Sequence, residues 1–557
     1  MIDAILIPAL VIGGTALLSV PLGAWLARAM DPAPADTAMA RATGLFTAIA
    51  GSAARPGQDW KAYALALMAF NALAFLFVFA MLMLQQHLPL NPDGMGPLTW
   101  DLAFNTTASF TTNTNLQHYS GEQAMSYLSQ LAALMWLQFV TPAVGLCALV
   151  AIARGLAERP DLGNFWLDLQ RATFLVLLPL AVLWAIALVL LGVPMTLQGA
   201  ATATTLEGAE QLIARGPVAA FVAIKQLGTN GGGFFGPNST HPLENPSMWT
   251  NLLQTVAIVL VPMACVWMFG RILGRPKHAR LIFVVMLGLL VTKVSLAMWG
   301  EAAPTAAFAG LPITAEANLE GKEMRLGGAA SVTWAVLTTS TSNGSVNAMM
   351  DSLNPLTGLV PMVDMWLNAT FGGIGVGLVN MWLYILVAVF LGGMLIGRTP
   401  TYIGHRIEAR EVRLAILALA LHGVLILGGT ALFAATDWGA ATTSNPGPHG
   451  FSQILYEFTS ASANNGSGFE GLGDNTVPWN VATGLVMLIG RYLPILIPLA
   501  IVGLLTAKPR AAETEGTLSP DGATFGGLLT VTLLIFGALT FLPAAVLGPV
   551  AEQLAQR

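Results

Sequence analysis

Ten apolar runs, each long enough to cross about 30 Å of hydrocarbon, constrain this chain more than any other feature. They are Ala4–Ala27, Ala62–Leu84, Ala124–Ala153, Thr173–Val193, Asn251–Phe269, Leu281–Met298, Trp366–Ile396, Leu414–Ala435, Val481–Thr506 and Phe525–Leu547. Lipid offers no partners to backbone polar groups, so runs of this length predict an all-α polytopic membrane protein. Composition agrees: only 10% of the 557 residues are charged, against about 25% in a soluble domain. The net charge of −5 provides no basic stripe for nucleic-acid phosphates. Cys147 and Cys265 fall inside apolar runs and read as small buried hydrophobes, with no disulfide framework. The first run lacks a basic stretch before it, and Pro21-Leu22-Gly23-Ala24-Trp25 is a poor cleavage site. It reads as a retained membrane helix.

The connections between runs alternate in character. One set is basic: Arg28, Arg41, Arg55 and Lys61; Arg154, Arg159 and Arg171; Arg271, Arg275, Lys277 and Arg280; Arg398, Arg406, Arg410 and Arg413; Lys508 and Arg510. The other set is longer and poorer in Lys and Arg. The positive-inside rule places the basic set in the cytoplasm and the other set outside, with both termini periplasmic or extracellular.

The outer connections hold four similar segments: Thr112-Asn113-Thr114-Asn115, Thr229-Asn230-Gly231-Gly232, Ser342-Asn343-Gly344-Ser345 and Asn464-Asn465-Gly466-Ser467. Their second residues, Asn113, Asn230, Asn343 and Asn465, are separated by 117, 113 and 122 positions. Each segment follows a stretch too short to span: Leu102 to Phe110, Val218 to Leu227, Val332 to Ser340 and Phe451 to Ala461. These stretches read as re-entrant pore helices. The predicted repeat is span, half-helix, loop, span. Residues 1–61 would then hold the first helix and a cytoplasmic loop, 62–153, 172–270, 281–397 and 413–507 the four pore units, and 525–547 the last helix.

Four small polar loops between apolar spans are how one chain would ring an ion with carbonyl oxygens. Glycine permits the positive φ such loops need, and Asn tolerates it better than most residues. None of the four segments contains a carboxylate, which favours a monovalent cation over Ca²⁺. The competing reading is four ordinary polar turns, and matched spacing argues against it. The first segment places Thr114 where the others have Gly231, Gly344 and Gly466, so the ring should be asymmetric. Gln117 could lend an oxygen to the outer mouth or simply face solvent.

Arg491 lies some ten residues inside the ninth run. A permanent charge at that depth is a functional candidate, either a positive block beneath the pore or a snorkelling side chain. Lys293, near the outer end of the sixth run, is expected to snorkel. Within the seventh run, Phe371-Gly372-Gly373-Ile374-Gly375-Val376-Gly377 predicts a helix break, with close packing through Gly373 and Gly377 as the alternative. The sequence lacks a phosphate-binding loop and a His-Glu-x-x-His pair, so an ATP-hydrolysing or metallohydrolase centre is not expected.

Several strings resemble one family. Thr111-Thr112-Asn113-Thr114-Asn115, Thr229-Asn230-Gly231-Gly232-Gly233-Phe234-Phe235-Gly236, Thr341-Ser342-Asn343-Gly344-Ser345, Ser462-Ala463-Asn464-Asn465-Gly466-Ser467-Gly468, Gly397-Arg398-Thr399-Pro400 and Gly490-Arg491 are similar to potassium-binding subunits of the bacterial Kdp P-type ATPase. The resemblance implies a potassium-transporter-superfamily fold in the bacterial inner membrane, with potassium selected by the four loops. It also implies ATP hydrolysis in a separate subunit, small accessory membrane subunits, and no nucleotide bound by this chain. By the same resemblance Phe371, Gly372, Gly373, Gly375, Gly377 and Arg491 restrict flow below the filter. Arg398, Arg406, Arg410 and Arg413 would face the ATPase partner. Two residues depart from the pattern: Leu116, where an aromatic is expected, and Asn368, where an acid is expected. The alternative is a free-standing potassium channel or ion-coupled transporter of the Trk or Ktr type.

Overall fold

The computed structural model describes residues 2–54, 57–305, 312, 318–511 and 519–555; the basic-loop residue Arg55 lies outside them. Among the described residues, nine helices are long and apolar enough to span a membrane: Asp3–Met30, Trp60–Met83, Ser129–Leu156, Phe165–Leu190, Met248–Ile272, Pro276–Glu301, Val376–Leu395, Ala409–Ala434 and Val477–Thr506. The last apolar run forms a tenth, bent by 42° between Ala523–Gly537 and Leu539–Ala555. Pro543 cannot donate to the carbonyl four residues back, which accounts for a bend at that point. The all-α expectation is met. The only described strands are two short hairpins, Ala201–Thr204 with Glu210–Ile213 and Thr401–Tyr402 with His405–Arg406.

Burial separates the spans into two classes. The helices that follow the four Asn-rich loops, spans three, five, seven and nine, have 50 to 83% of their apolar window buried within the protein. The helices that precede the loops, spans two, four, six and eight, have only 22 to 39%. The span after each loop is thus the more buried of its pair and the span before it the more exposed. Cys147 and Cys265 are free thiols buried in the inner helices.

Several boundaries differ from the sequence reading. The third span begins at Ser129, because Gly121–Ala124 is a separate turn of helix. The fourth begins at Phe165, so Arg171 lies inside a helix, 3.3 Å from Asp168. The seventh apolar run is not one helix. Trp366 lies in the last turn of an earlier helix, Pro355–Leu367, and the long helix starts only at Val376. A further helix, Thr37–Ala50, follows the first span; the Asp36 side chain caps it by accepting from the Met39 N–H. Lys293 does not snorkel. The sixth span continues to Glu301, leaving Lys293 buried, in contact with Asp364 and 3.0 Å from the Thr370 hydroxyl. An ammonium at that depth needs a carboxylate more than it needs a route to water.

Candidate functional site

Four short helices, Trp100–Thr111, Val218–Leu227, Gly327–Ser340 and Gly447–Ala463, each run directly into one Asn-rich loop. The exits share one hydrogen-bond and φ pattern. The N–H groups of Thr114, Asn230, Asn343 and Asn465 each donate to the carbonyl five residues back, at Ser109, Lys225, Thr338 and Ser460, over 2.8–2.9 Å. The residue before each is left-handed: Asn113 (φ 64°), Thr229 (50°), Ser342 (50°) and Asn464 (53°). The residue after each is left-handed too: Asn115 (55°), Gly231 (78°), Gly344 (87°) and Gly466 (103°).

This geometry corrects the register of the first loop by one residue. Thr114, not Asn113, corresponds to Asn230, Asn343 and Asn465, and Asn115 stands with the three glycines. The physical reason is that Asn is among the few residues besides Gly that tolerate φ > 0. Thr114 itself keeps a negative φ, as do its counterparts Asn230, Asn343 and Asn465. The asymmetry expected at Thr114 thus resides at Asn115, whose buried amide has no hydrogen-bond partner on either atom.

The glycines show that the loops close a ring. A Cβ on Gly231 would overlap the Asn343 carbonyl, one on Gly344 the Asn465 carbonyl, and one on Gly466 the Thr114 carbonyl. The remaining seam joins loops one and two, where a Cβ on Gly232 would meet the Asn115 Cβ at 2.8 Å. Amides hold the ring from behind. Asn113 donates to the Thr229 carbonyl (2.9 Å), Asn465 to the Thr338 carbonyl (3.0 Å) and Asn464 to the Thr114 hydroxyl (2.9 Å). Asn343 and Asn465 also accept from the Ser345 and Ser467 N–H groups, both at 3.0 Å. Thr112 and Thr114 are joined hydroxyl to hydroxyl at 2.7 Å. The side chains of Asn113, Asn343, Asn464 and Asn465 are therefore scaffolding, and the segments remain free of carboxylates.

Gln117 does not present a free oxygen to the mouth. Its Oε1 accepts from the Gly233 N–H (2.7 Å) and its Nε2 donates to the Gly233 carbonyl (3.0 Å), stapling loop one to loop two. Leu116 is buried beside Phe433, Ile454, Phe458 and Trp479. An aliphatic side chain suits a pocket whose walls are already aromatic.

Sequence reasoning missed two buried ion pairs behind the ring. Lys225 contacts Glu244 and donates to Asn238 Oδ1 (2.6 Å), while Glu244 Oε1 accepts from the Phe234 and Phe235 N–H groups (2.7 and 3.0 Å). Asp364, paired with Lys293, accepts from the Thr339 and Ser340 hydroxyls (2.9 and 2.8 Å). A signal was present. Glu244 is the only Asp, Glu, Lys or Arg between Lys225 and Arg271, and Asp364 the only one between Asp351 and Arg398. A lone carboxylate in such a stretch needs a charged partner from elsewhere.

Beneath the ring, Asn368 to Gly375 leave helical geometry, with positive φ at Asn368 (42°), Phe371 (61°), Gly372 (47°) and Gly375 (75°). The segment passes directly under loops two and three. The Ile374 N–H donates to the Thr229 hydroxyl (3.1 Å), and Gly373 lies against Ser342 and Thr229. Gly377 packs on Gly372 within the break itself, while Gly375 packs against Gly145 of the third span, so the glycines serve both the broken helix and a close contact with its neighbour. Asn368 accepts from the Ser342 hydroxyl (2.8 Å) and donates to the Ala463 carbonyl (3.3 Å); an ionised carboxylate could not make the second bond.

Arg491 is buried, and its guanidinium reaches from the ninth span to the Thr141 carbonyl of the third (3.4 Å). It lines a cavity together with Ser342, Asn368, Asn380, His422, Ser462 and Asn464, so it lies below the ring and beside the break. At the far end of the seventh span, Arg398, Arg406, Arg410 and Arg413 are all exposed around the Thr401–Arg406 hairpin.

The sequence profile of the family described as "Potassium-transporting ATPase A subunit" matches residues 9–554. A potassium-transporting ATPase potassium-binding subunit of Pseudomonas aeruginosa is 53% identical over 502 residues, covering 89% of each chain. The protein of the same description from Pseudomonas putida is 52% identical over 511 residues, 91% of this chain and 90% of that one. The one from Rhodospirillum centenum is 49% identical over 511 residues, 91% and 89%.

Proposed function

The chain belongs to the potassium-transporting ATPase A-subunit family, and from that premise we propose that its four loops select potassium and hand it to a partner P-type ATPase subunit. The observation that carries this reading is the ring itself. Four loops with the same alternation of φ, closed through Gly231, Gly344, Gly466 and Asn115, surround a centre free of carboxylates. Alternating the sign of φ presents consecutive carbonyls on one side of a loop, where a β-strand would alternate them. Neutral carbonyl dipoles at that density replace the hydration shell of a monovalent cation.

Arg491 and the broken segment then oppose straight passage. A guanidinium below the ring repels a cation leaving it, and the cavity lined by Asn368, Asn380 and His422 offers a sideways exit. The exposed Arg398, Arg406, Arg410 and Arg413 suit an acidic face of the partner. ATP is hydrolysed on that partner, and small accessory membrane subunits complete the pump. The protein sits in the bacterial inner membrane with the loops open to the periplasm and both termini on that side. The names of the relatives, potassium-binding subunits, support potassium as the bound ion.

The test is purification of the tagged chain from bacterial membranes and assay of the preparation for potassium-stimulated ATP hydrolysis. Copurification of such activity is the expected result. Potassium flux through vesicles containing the isolated chain, without ATP, would replace this reading with a free-standing channel or ion-coupled transporter.

A further inference from the structure

On the side where the loops open, and away from the ring centre, three side chains from distant parts of the chain converge. His118 lies three residues beyond Asn115, Glu457 is on the fourth short helix, and Asp474 is in the connection to the ninth span. His118 Nε2 is 3.1 Å from Glu457 Oε1 and 4.0 Å from Asp474 Oδ2, and the three atoms lie within 4.8 Å of one another. The side chains of His118 and Glu457 are 0 and 2% exposed, while that of Asp474 is 28% exposed and gives solvent a way in.

The imidazole is oriented by its other nitrogen. His118 Nδ1 is 2.7 Å from Asn480 Oδ1. The amide nitrogen of Asn480 is committed to Asp101 Oδ2 (2.8 Å) and Asn475 Oδ1 (3.1 Å), so its oxygen must face the ring. Nδ1 therefore donates, and Nε2 faces the two carboxylates. One imidazole nitrogen and two carboxylate oxygens thus converge on a single point. A divalent cation at that point would balance both carboxylates.

We propose that His118, Glu457 and Asp474 form a binding site for a divalent transition-metal ion of the zinc type. Imidazole nitrogen with carboxylate oxygen is a zinc donor set, and zinc bonds of about 2.0–2.2 Å need ligand atoms a little over 3 Å apart. The Glu457 spacing already has that size, and the partly exposed Asp474 closes the rest. Asn480, held by Asp101, supplies the outer hydrogen bond that metal-bound histidines require. Hard cations such as Mg²⁺ would not select the imidazole. The ion would tie the end of loop one to the helix behind loop four. Those loops are neighbours in the ring but stand at opposite ends of the set in sequence. This site is independent of the potassium reading, since none of its ligands belongs to the ring.

The test uses the full chain, purified from membranes with the subunits that accompany it, stripped with a chelator and dialysed against ZnCl₂ at neutral pH. Elemental analysis should find about one more zinc per chain in wild type than in His118→Gln, matching a single site of three protein ligands with water in the fourth position. Asp474→Asn, at the rim where folding is least at risk, should weaken zinc binding by about tenfold or more. Zinc should raise the melting temperature of wild type and leave that of Asp474→Asn unchanged. Cobalt substitution should give the visible absorption of a low-symmetry nitrogen-oxygen site. Equal zinc content in wild type, His118→Gln and Asp474→Asn would overturn the proposal and leave a protonated histidine bridging two acids.

Discussion

Gly344 has no room for a side chain: its φ is 87°, and a Cβ there would overlap the Asn465 carbonyl of the next loop. Gly344→Ala is therefore expected to displace that carbonyl as well as strain its own backbone, a cost of about 1–3 kcal/mol. Taken entirely from ion binding, 1.4 kcal/mol is about tenfold in affinity. Potassium titration of the purified protein reads it, and an unchanged affinity would remove Gly344 from the ring. Asn115 gives the reciprocal experiment. Because it occupies the glycine position of loop one and its amide is unsatisfied, Asn115→Gly should fold as well as wild type, whereas Asn115→Val should not. A register in which Thr114 holds that position predicts the opposite tolerance. Behind the ring, Glu244→Gln leaves Lys225 buried without its counter-charge and should cost about 3–5 kcal/mol of stability. The readout is a lower melting temperature, with the Lys225→Met and Glu244→Leu double replacement recovering part of the loss.

At the level of elements, the site is made by where helices stop. The four short helices end at matched points, and the seventh apolar run breaks directly beneath two of their loops. The sequence reading found the short helices because each pairs a semi-apolar stretch with a small, Asn-containing polar exit. It found the break because four glycines in seven residues disfavour a helix. The extent of the earlier helix, Pro355–Leu367, was not legible. Its end depends on Asn368 taking a left-handed turn held by Ser342 and Ala463, partners that lie 26 and 95 residues away. Arg491 belongs to this scale, since its guanidinium reaches across to the Thr141 carbonyl of the third span. Arg491→Ala should open a leak: potassium flux in vesicles without ATP, or fewer ions moved per ATP. Tight coupling and no leak in that variant would remove Arg491 from the gate.

On the scale of the whole molecule, the repeats are fastened to the terminal helix by ionisable groups. His449, on the fourth short helix, bonds Asp351 and Glu552, both at 2.8 Å. Burial alone would lower the His449 imidazole, but the hydrogen bonds to these two acids outweigh it and lift it to about 10. A group raised on folding stabilises most below its unfolded value of about 6.5 and loses that contribution as pH rises through the folded value. Melting temperatures of wild type should therefore exceed those of His449→Gln near pH 6, and the two should converge towards pH 10. A difference independent of pH would mean that packing, not charge, holds this corner.

The sequence by itself determined the membrane architecture, the repeat and the elements of the ring, because these rest on local quantities: apolar length, glycine content and the absence of carboxylates. Only the tertiary structure decided the register of loop one, the commitment of the Gln117 amide, the burial of Lys293 against Asp364, and the meeting of His118 with Glu457 and Asp474. Each depends on which groups approach across the ring or between helices, some of them hundreds of residues apart in the chain. Hydrogen bonds and ion pairs of that kind leave no period in the sequence. They leave only a polar or charged residue where an apolar one would be expected.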